Sequence, residues 1–185
     1  MLNLQKKCII AAVRDMKEFE EALLHGPENI FLLKSSILQL PKCIRLAREN
    51  NKKLFVHIDL TDGVAKDSAG LTFIAKIGVD GIISTRTNLI KTARECGLST
   101  VQRFFIVDSK SIHTAYDSIK SSKPDMVEFL PGVVPKVIGE FSKNLDIPII
   151  AGGLIETEEE VRLVLSAGAS AVSAGKQELW NISAE

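Results

Sequence analysis

Ile149-Ile150-Ala151-Gly152-Gly153 and, after a polar helix-like stretch, Ala167-Gly168-Ala169-Ser170-Ala171-Val172-Ser173-Ala174-Gly175-Lys176 decide the architecture. Each is an apolar, strand-like segment that ends in small residues before the chain turns polar. Glycine lets the backbone approach a ligand closely, and the free N–H groups of a following helix start favour an anion. Two such turns on consecutive strands, about twenty residues apart, match the phosphate grip that (β/α)8 barrels build after strands seven and eight. The expected ligand is a small phosphorylated molecule, its phosphate held near Gly152, Gly153, Gly175 and Lys176.

Upstream, the chain alternates between two textures with no linker or low-complexity tract. Buried-type, β-branched runs occur at Cys8–Val13, Asn29–Leu33, Lys53–Leu60, Gly81–Ser84, Thr100–Val107, Met126–Leu130, Pro148–Ala151 and Ala169–Ala174. Between them lie patterns of helical period, such as Phe19, Leu23 and Leu24, or Val161, Val164 and Leu165. Asp15 with Glu18 and Thr157 with Glu160 have capping-box spacing, and Gly97 and Gly168 stand where left-handed C-caps would close helices. Strands of nearly continuous apolar character belong to a parallel sheet covered by helices. A doubly wound sheet is also a βα repeat, but the strand number and the terminal phosphate turns favour a compact (β/α)8 TIM-like barrel spanning 1–185 as a single domain. Such barrels usually run from about 200 residues upward, so short loops and helices, or an incomplete strand, are expected.

Composition narrows the function classes. Lysine plus arginine equals aspartate plus glutamate at 23 each, so no global field draws the protein to nucleic acid or anionic membrane. Cys8, Cys43 and Cys96 are isolated and form no CxxC pair, so neither a disulfide framework nor a zinc site is expected. No segment approaches the ~20 apolar residues of a membrane span, and the N-terminus lacks signal-peptide features. The expected location is cytoplasmic, with no metal.

In a barrel of this kind the chemistry sits at the C-terminal ends of the strands. The polar residues there are Arg14, Lys34, His57, Asp59, Ser84, Thr85, Arg86, Gln102, Arg103, Glu128 and Lys176, with Gly132 in the turn after strand six. Alternation sends His57 and Asp59 to one face, toward the interior. Arg103 interrupts an apolar strand and needs a carboxylate such as Asp59 or Glu128, or a bound anion. The same residues could instead form a satisfied ion network, and Arg14 and Arg86 could cap helices or meet solvent. The acidic run at Glu156, Glu158, Glu159 and Glu160 reads as a helix start.

Five ordered segments carry a resemblance. Val56-His57-Ile58-Asp59-Leu60, Gly81-Ile82-Ile83-Ser84-Thr85-Arg86, Gln102-Arg103-Phe104-Phe105-Ile106-Val107-Asp108, Glu128-Phe129-Leu130-Pro131-Gly132 and Ile150-Ala151-Gly152-Gly153 together resemble the glycerol uptake operon antiterminator family. The resemblance covers nearly the whole chain. It implies a (β/α)8-like fold without catalysis, glycerol 3-phosphate as effector, and binding of leader mRNA to prevent premature termination of glycerol-utilisation transcripts. The ligand's hydroxyls would then meet Asp59, Glu128 and Arg103. For RNA, the second helix offers a stripe of Lys42, Arg45 and Arg48, and Arg86, Lys91 and Arg94 offer another. The alternatives are a sugar- or triose-phosphate enzyme using His57, Asp59 and Glu128 as acid and base, and a barrel that keeps phosphate as structural glue. A homo-oligomer is left open.

Overall fold

The computed structural model describes residues 7–182. Eight parallel strands close into a barrel: β1 (Cys8–Val13), β2 (Asn29–Leu32), β3 (Lys53–His57), β4 (Gly81–Ser84), β5 (Ser99–Phe105), β6 (Met126–Leu130), β7 (Ile149–Gly152) and β8 (Ala171–Ala174). Each strand pairs with its sequence neighbours, and β8 returns to β1 with Cys8 opposite Ala171. The helices α1 (Met16–Leu24), α2 (Leu40–Glu49), α3 (Ser68–Ile77), α4 (Thr87–Glu95), α5 (Ser109–Ser122), α6 (Pro135–Asn144) and α7 (Glu158–Ser166) follow the first seven strands. This is the arrangement expected from the alternating textures.

The strands are apolar on both faces because both are buried. Ile10, Phe31, Phe55, Ile83, Val101, Met126 and Ile150 fill the barrel. The alternate positions meet the helices, where Phe129 stacks on Phe141 of α6 at a centroid distance of 3.9 Å. Helix limits follow local chemistry. Asp15 accepts from the Glu18 amide at 2.9 Å, while the Glu18 carboxylate accepts from the Arg14 amide at 2.7 Å. Gly97 and Gly168, at φ 78° and 114°, take the left-handed conformation after α4 and α7.

Compactness comes from the last unit, not from a lost strand. After β8, the described residues contain only a 3-10 turn at Gln177–Leu179 where an eighth helix would stand. Trp180 closes that side, its indole N–H donating to the Ala174 carbonyl at 2.8 Å.

Several strands stop short of their apolar runs, β5 at Phe105 for example, and β3 departs most. β3 ends at His57, and Ile58–Leu60 wind into a 3-10 turn instead of completing a strand to Leu60. The Thr61 hydroxyl donates to the His57 carbonyl at 3.0 Å, folding the chain back. The rim is braced by a small parallel ribbon pairing Ser35–Ser36 with Thr61–Asp62.

Candidate functional site

A polar layer crosses the barrel just below its mouth. Arg103 on β5 lies in register with Glu128 on β6, and the Arg103 Nε donates to Glu128 Oε2 at 2.6 Å. The other carboxylate oxygen accepts from the Ser173 hydroxyl of β8 at 2.6 Å. Both charges are almost wholly buried, so their desolvation is tolerable only because they pair. Gly152 completes the layer: a Cβ there would sit 2.5 Å from both Glu128 Oε1 and Ser173 Oγ. The glycine is required by the side chains packed against it.

Above this layer opens a cavity of about 550 Å³ whose wall includes Arg14, Arg103, Glu128, Gly153, Gly175 and Lys176. The Arg14 guanidinium overlies the β8 turn, 3.3 Å from where a Gly175 Cβ would stand. Lys176 reaches across to the Glu156 carbonyl at 3.0 Å, joining the β7 and β8 rims. Between them Gly153 and Leu154 both have positive φ, 77° and 62°, the second uncommon for a non-glycine residue. Leu154 is 69 % exposed and lines the cavity. Leu154 and Ser173 were not legible as candidates; for Ser173 the signal was its place two residues before Gly175 on an inward-facing register.

The helix start after β7 does not supply the anion site its position implied. Glu160 Oε2 accepts from the Glu156 and Thr157 amides at 2.8 and 3.0 Å, and Thr157 accepts from the Glu160 amide at 3.2 Å. Glu158, Glu159 and Glu160 occupy the first turn. Three of the amides at this helix start, those of Glu156, Thr157 and Glu160, are thus taken up internally, and the field is negative there.

The remaining candidates stand beside or behind the cavity. Asp59 accepts from Ser84 Oγ at 3.0 Å and from the Thr85 amide at 2.8 Å, with Arg86 Nε 3.4 Å away. His57 and Asp59 do come together, with Nε2 and Oδ2 3.7 Å apart, but through the 3-10 turn, not by alternation along one strand. Gly132 ties the β6 and β7 loops by donating its amide to the Gly152 and Gly153 carbonyls at 2.6 and 3.0 Å. Asp59, His57, Arg86, Gly132 and Gly152 are therefore outside the cavity wall. Among the described residues, no cluster of three or more His, Cys, Asp or Glu side chains could hold a metal ion.

Both ring nitrogens of His57 are buried without a well-formed hydrogen bond, with only a weak backbone interaction from Leu33. Burial, and then the Arg103 charge, push its pKa below the usual histidine value, against the pull of Asp59 and Glu128. The folded protein thus favours neutral His57. Its stabilising contribution is fully present above the unfolded pKa of about 6.5 and is lost as pH falls toward the lower folded value. Melting temperature should fall from pH 7 to pH 5 with a steeper slope in the parent than in His57→Gln. Equal slopes would assign the acid sensitivity to other groups.

The α2 stripe is partly occupied. Lys42 pairs with Glu20 at 2.8 Å, Arg45 lies 3.9 Å from Glu49, and Arg48 donates to the Gly78 carbonyl at 2.9 Å. Among the described residues no helix is long and apolar enough to cross a membrane.

Comparison with known proteins agrees with the resemblance. The family described as glycerol-3-phosphate responsive antiterminator matches residues 9–180. YgcP of Escherichia coli K12, itself uncharacterized, is 33% identical over 180 residues, covering 97% of this chain and 94% of its own. The glycerol uptake operon antiterminator regulatory protein of Listeria monocytogenes superposes with a TM-score of 0.89 at 36% identity, over 94% of each chain. An antiterminator-related protein of Thermotoga maritima gives 0.85 at 37% identity, over 95% of this chain and 99% of its own. Orotidine 5'-phosphate decarboxylase of Pyrococcus horikoshii, at 18% identity and a TM-score of 0.67 over 90% of this chain and 88% of its own, shares the barrel alone. The chain belongs to the glycerol-3-phosphate responsive antiterminator family.

Proposed function

We propose that this protein is a non-catalytic regulator in the cytoplasm that binds leader mRNA in response to glycerol 3-phosphate and prevents premature transcription termination of glycerol-utilisation genes. The observation that carries the effector reading is a buried acceptor–donor layer beneath a cationic rim. A phosphate between Arg14 and Lys176 meets two positive charges, and Gly153 and Gly175 let the backbone approach it. The two hydroxyls of the ligand then point down to Glu128, Arg103 and Ser173, whose buried polar groups reject a ligand that leaves them unpaired. A sensor needs this selectivity in one of two states, not transition-state stabilisation.

Two basic faces compete for the RNA. The α2 cations Lys42, Arg45 and Arg48 must leave intramolecular partners to reach a phosphate. In the groove between α4 and α5, Arg94 donates to the Ser122 carbonyl at 3.5 Å. Lys91 and Lys123 stand beside it with a lone carboxylate, Glu95. One of three cations is engaged there against all three on α2, which favours a polyanion at this groove. Lys91→Glu with Arg94→Glu should weaken RNA binding and flatten its salt dependence more than alanine at the three α2 positions. The reverse ranking would place the RNA on α2.

The effector reading is tested by phosphorus NMR of glycerol 3-phosphate with added protein, against inorganic phosphate, followed by RNA affinity with and without the effector. Selective broadening and tighter RNA binding are expected. RNA affinity that ignores saturating glycerol 3-phosphate would overturn the regulatory reading, and a new phosphorus line would replace it with catalysis.

A further inference from the structure

The polar layer beneath the cavity has a direction to its hydrogen bonding. The Ser173 hydroxyl commits its hydrogen to Glu128 Oε1 at 2.6 Å, so its oxygen can only accept from anything else. Glu128, held as a carboxylate by the Arg103 Nε at 2.6 Å, has no hydrogen to give either. Both side chains line the cavity, as Arg103 does. Among the described residues, Glu128 is the acceptor that the Arg103 guanidinium meets, so N–H donors at its Nη atoms remain for a ligand. Resting on the reading that this cavity holds glycerol 3-phosphate, we propose that Glu128, with Ser173 locked to it, makes the site read oxidation level. A three-carbon phosphate is accepted as an alcohol and refused when a carbonyl replaces that alcohol, as in dihydroxyacetone phosphate.

An alcohol does both things the layer asks. Its hydrogen goes to Glu128 or Ser173, and its oxygen accepts from an Arg103 Nη. A carbonyl oxygen answers Arg103 alone. It then stands with its lone pairs against two acceptors and has no hydrogen for either. Glu128 is an ion that is 1 % exposed, and a buried charged group left short of a partner is penalised more than a neutral one. The other cations of the wall, Arg14 and Lys176, belong to the rim, where the phosphate lies on this reading, and do not reach down to rescue a carbonyl.

The layer is built so that its polarity does not reverse. Turning the Ser173 hydrogen into the cavity would supply a donor for a carbonyl, but it would strip a hydrogen bond from the buried Glu128 carboxylate. Retreat of the pair is blocked on one side, because the Gly152 backbone stands so close that a Cβ there would meet Glu128 Oε1 and Ser173 Oγ at 2.5 Å. Arg103 and Glu128 are in register on β5 and β6, and Ser173 is on β8. All three therefore project from barrel strands, the rigid kind of element on which a selective site keeps its geometry.

The experiment titrates glycerol 3-phosphate, dihydroxyacetone phosphate and inorganic phosphate separately into the full chain by calorimetry. The parent should bind the alcohol at least about thirtyfold more tightly than the ketone, the scale of a hydrogen bond to a charged group. Glu128→Gln gives the layer an amide donor, whose N–H can take the Ser173 oxygen and free the hydroxyl hydrogen for the cavity. In that variant the two affinities should come within about fivefold of each other, the scale of a neutral hydrogen bond. Arg103→Gln with Glu128→Gln, which leaves no orphaned cation, is the second variant should Glu128→Gln melt early, and the same narrowing is expected. The ratio is the readout, because a merely structural loss lowers both affinities together. Glu128→Asp, which keeps an acceptor, should keep the preference. A parent that binds alcohol and ketone alike, both better than phosphate, would overturn the proposal and leave the effector reading standing. Glycerol 3-phosphate bound no better than inorganic phosphate would overturn both. A parental ratio retained in the glutamine variants would place the selectivity away from Glu128 and overturn the assignment.

Discussion

Glu128→Ala should lower the unfolding free energy by about 3–5 kcal/mol, the penalty of leaving one partner of a buried ion pair uncompensated. Glu128 is 1 % exposed, and its carboxylate takes both the Arg103 guanidinium and the Ser173 hydroxyl. Removing it strands a cation in a barrel otherwise filled by Phe31, Phe55, Ile83 and Val101. The loss belongs to the orphaned charge more than to the missing contact, and a double replacement shows this. Arg103→Met with Glu128→Leu should recover most of the stability while abolishing glycerol 3-phosphate binding. Ser173→Ala, which leaves the ion pair intact, should cost less, about 1.5–3 kcal/mol, the worth of a hydrogen bond to a charged group. Urea unfolding of the four proteins checks the series. A Glu128→Ala protein as stable as its parent would mean that water reaches Arg103.

The second large effect is at a residue without a side chain. Gly152→Ala should cost about 1–3 kcal/mol by overpacking, since the added methyl meets Glu128 Oε1 and Ser173 Oγ at 2.5 Å. Ligand affinity should fall with it, because the carboxylate is the group that must move. Adding Ser173→Ala clears one of the two clashes and should restore part of the loss, a coupling that a double-mutant cycle measures. Gly97→Ala is a useful contrast. That glycine has a φ of 78° but nothing within 4 Å of its would-be Cβ, so only backbone strain opposes the change and affinity should be untouched. Urea unfolding together with effector titration separates the two cases. Equal affinities for Gly152→Ala and Gly97→Ala would remove Glu128 from the ligand site.

The barrel was legible because each strand is buried on both faces and so reads as an unbroken apolar run, and because the helices carry their own stop and start chemistry at Asp15, Thr157, Gly97 and Gly168. What misled the reading was local hydrogen bonding that no period reveals. The apolar run through Leu60 hides a turn that begins at Ile58, fixed by Thr61 and by the grip of Ser84 and Thr85 on Asp59. The glycine turn before α7 promised free amides, but Glu160 reaches back to cover two of them. The Arg103–Glu128 pair was foreseeable from the cost of an unpaired buried cation. Ser173 as its third member was not, because its register points it inward but says nothing of the carboxylate it meets there. The cavity gathers Arg14, Arg103, Glu128, Gly153, Gly175 and Lys176, while His57, Asp59 and Arg86 stand outside its wall. That separation follows from where the chain turns, not from residue type.

The seam where β8 meets β1 has a consequence for how the protein comes into being. Cys8 pairs with Ala171 and Ala11 with Ala174, so the first strand made waits for the last before its outer edge is satisfied. Until then a nascent chain carries an open strand edge of the kind that recruits other chains, and closing the ring requires contacts far apart in sequence, which form slowly. Arg14 directly follows β1 and Lys176 lies just beyond β8. The two cations of the rim therefore come together only once the seam has shut, so on the proposed function the effector site exists only in the finished ring.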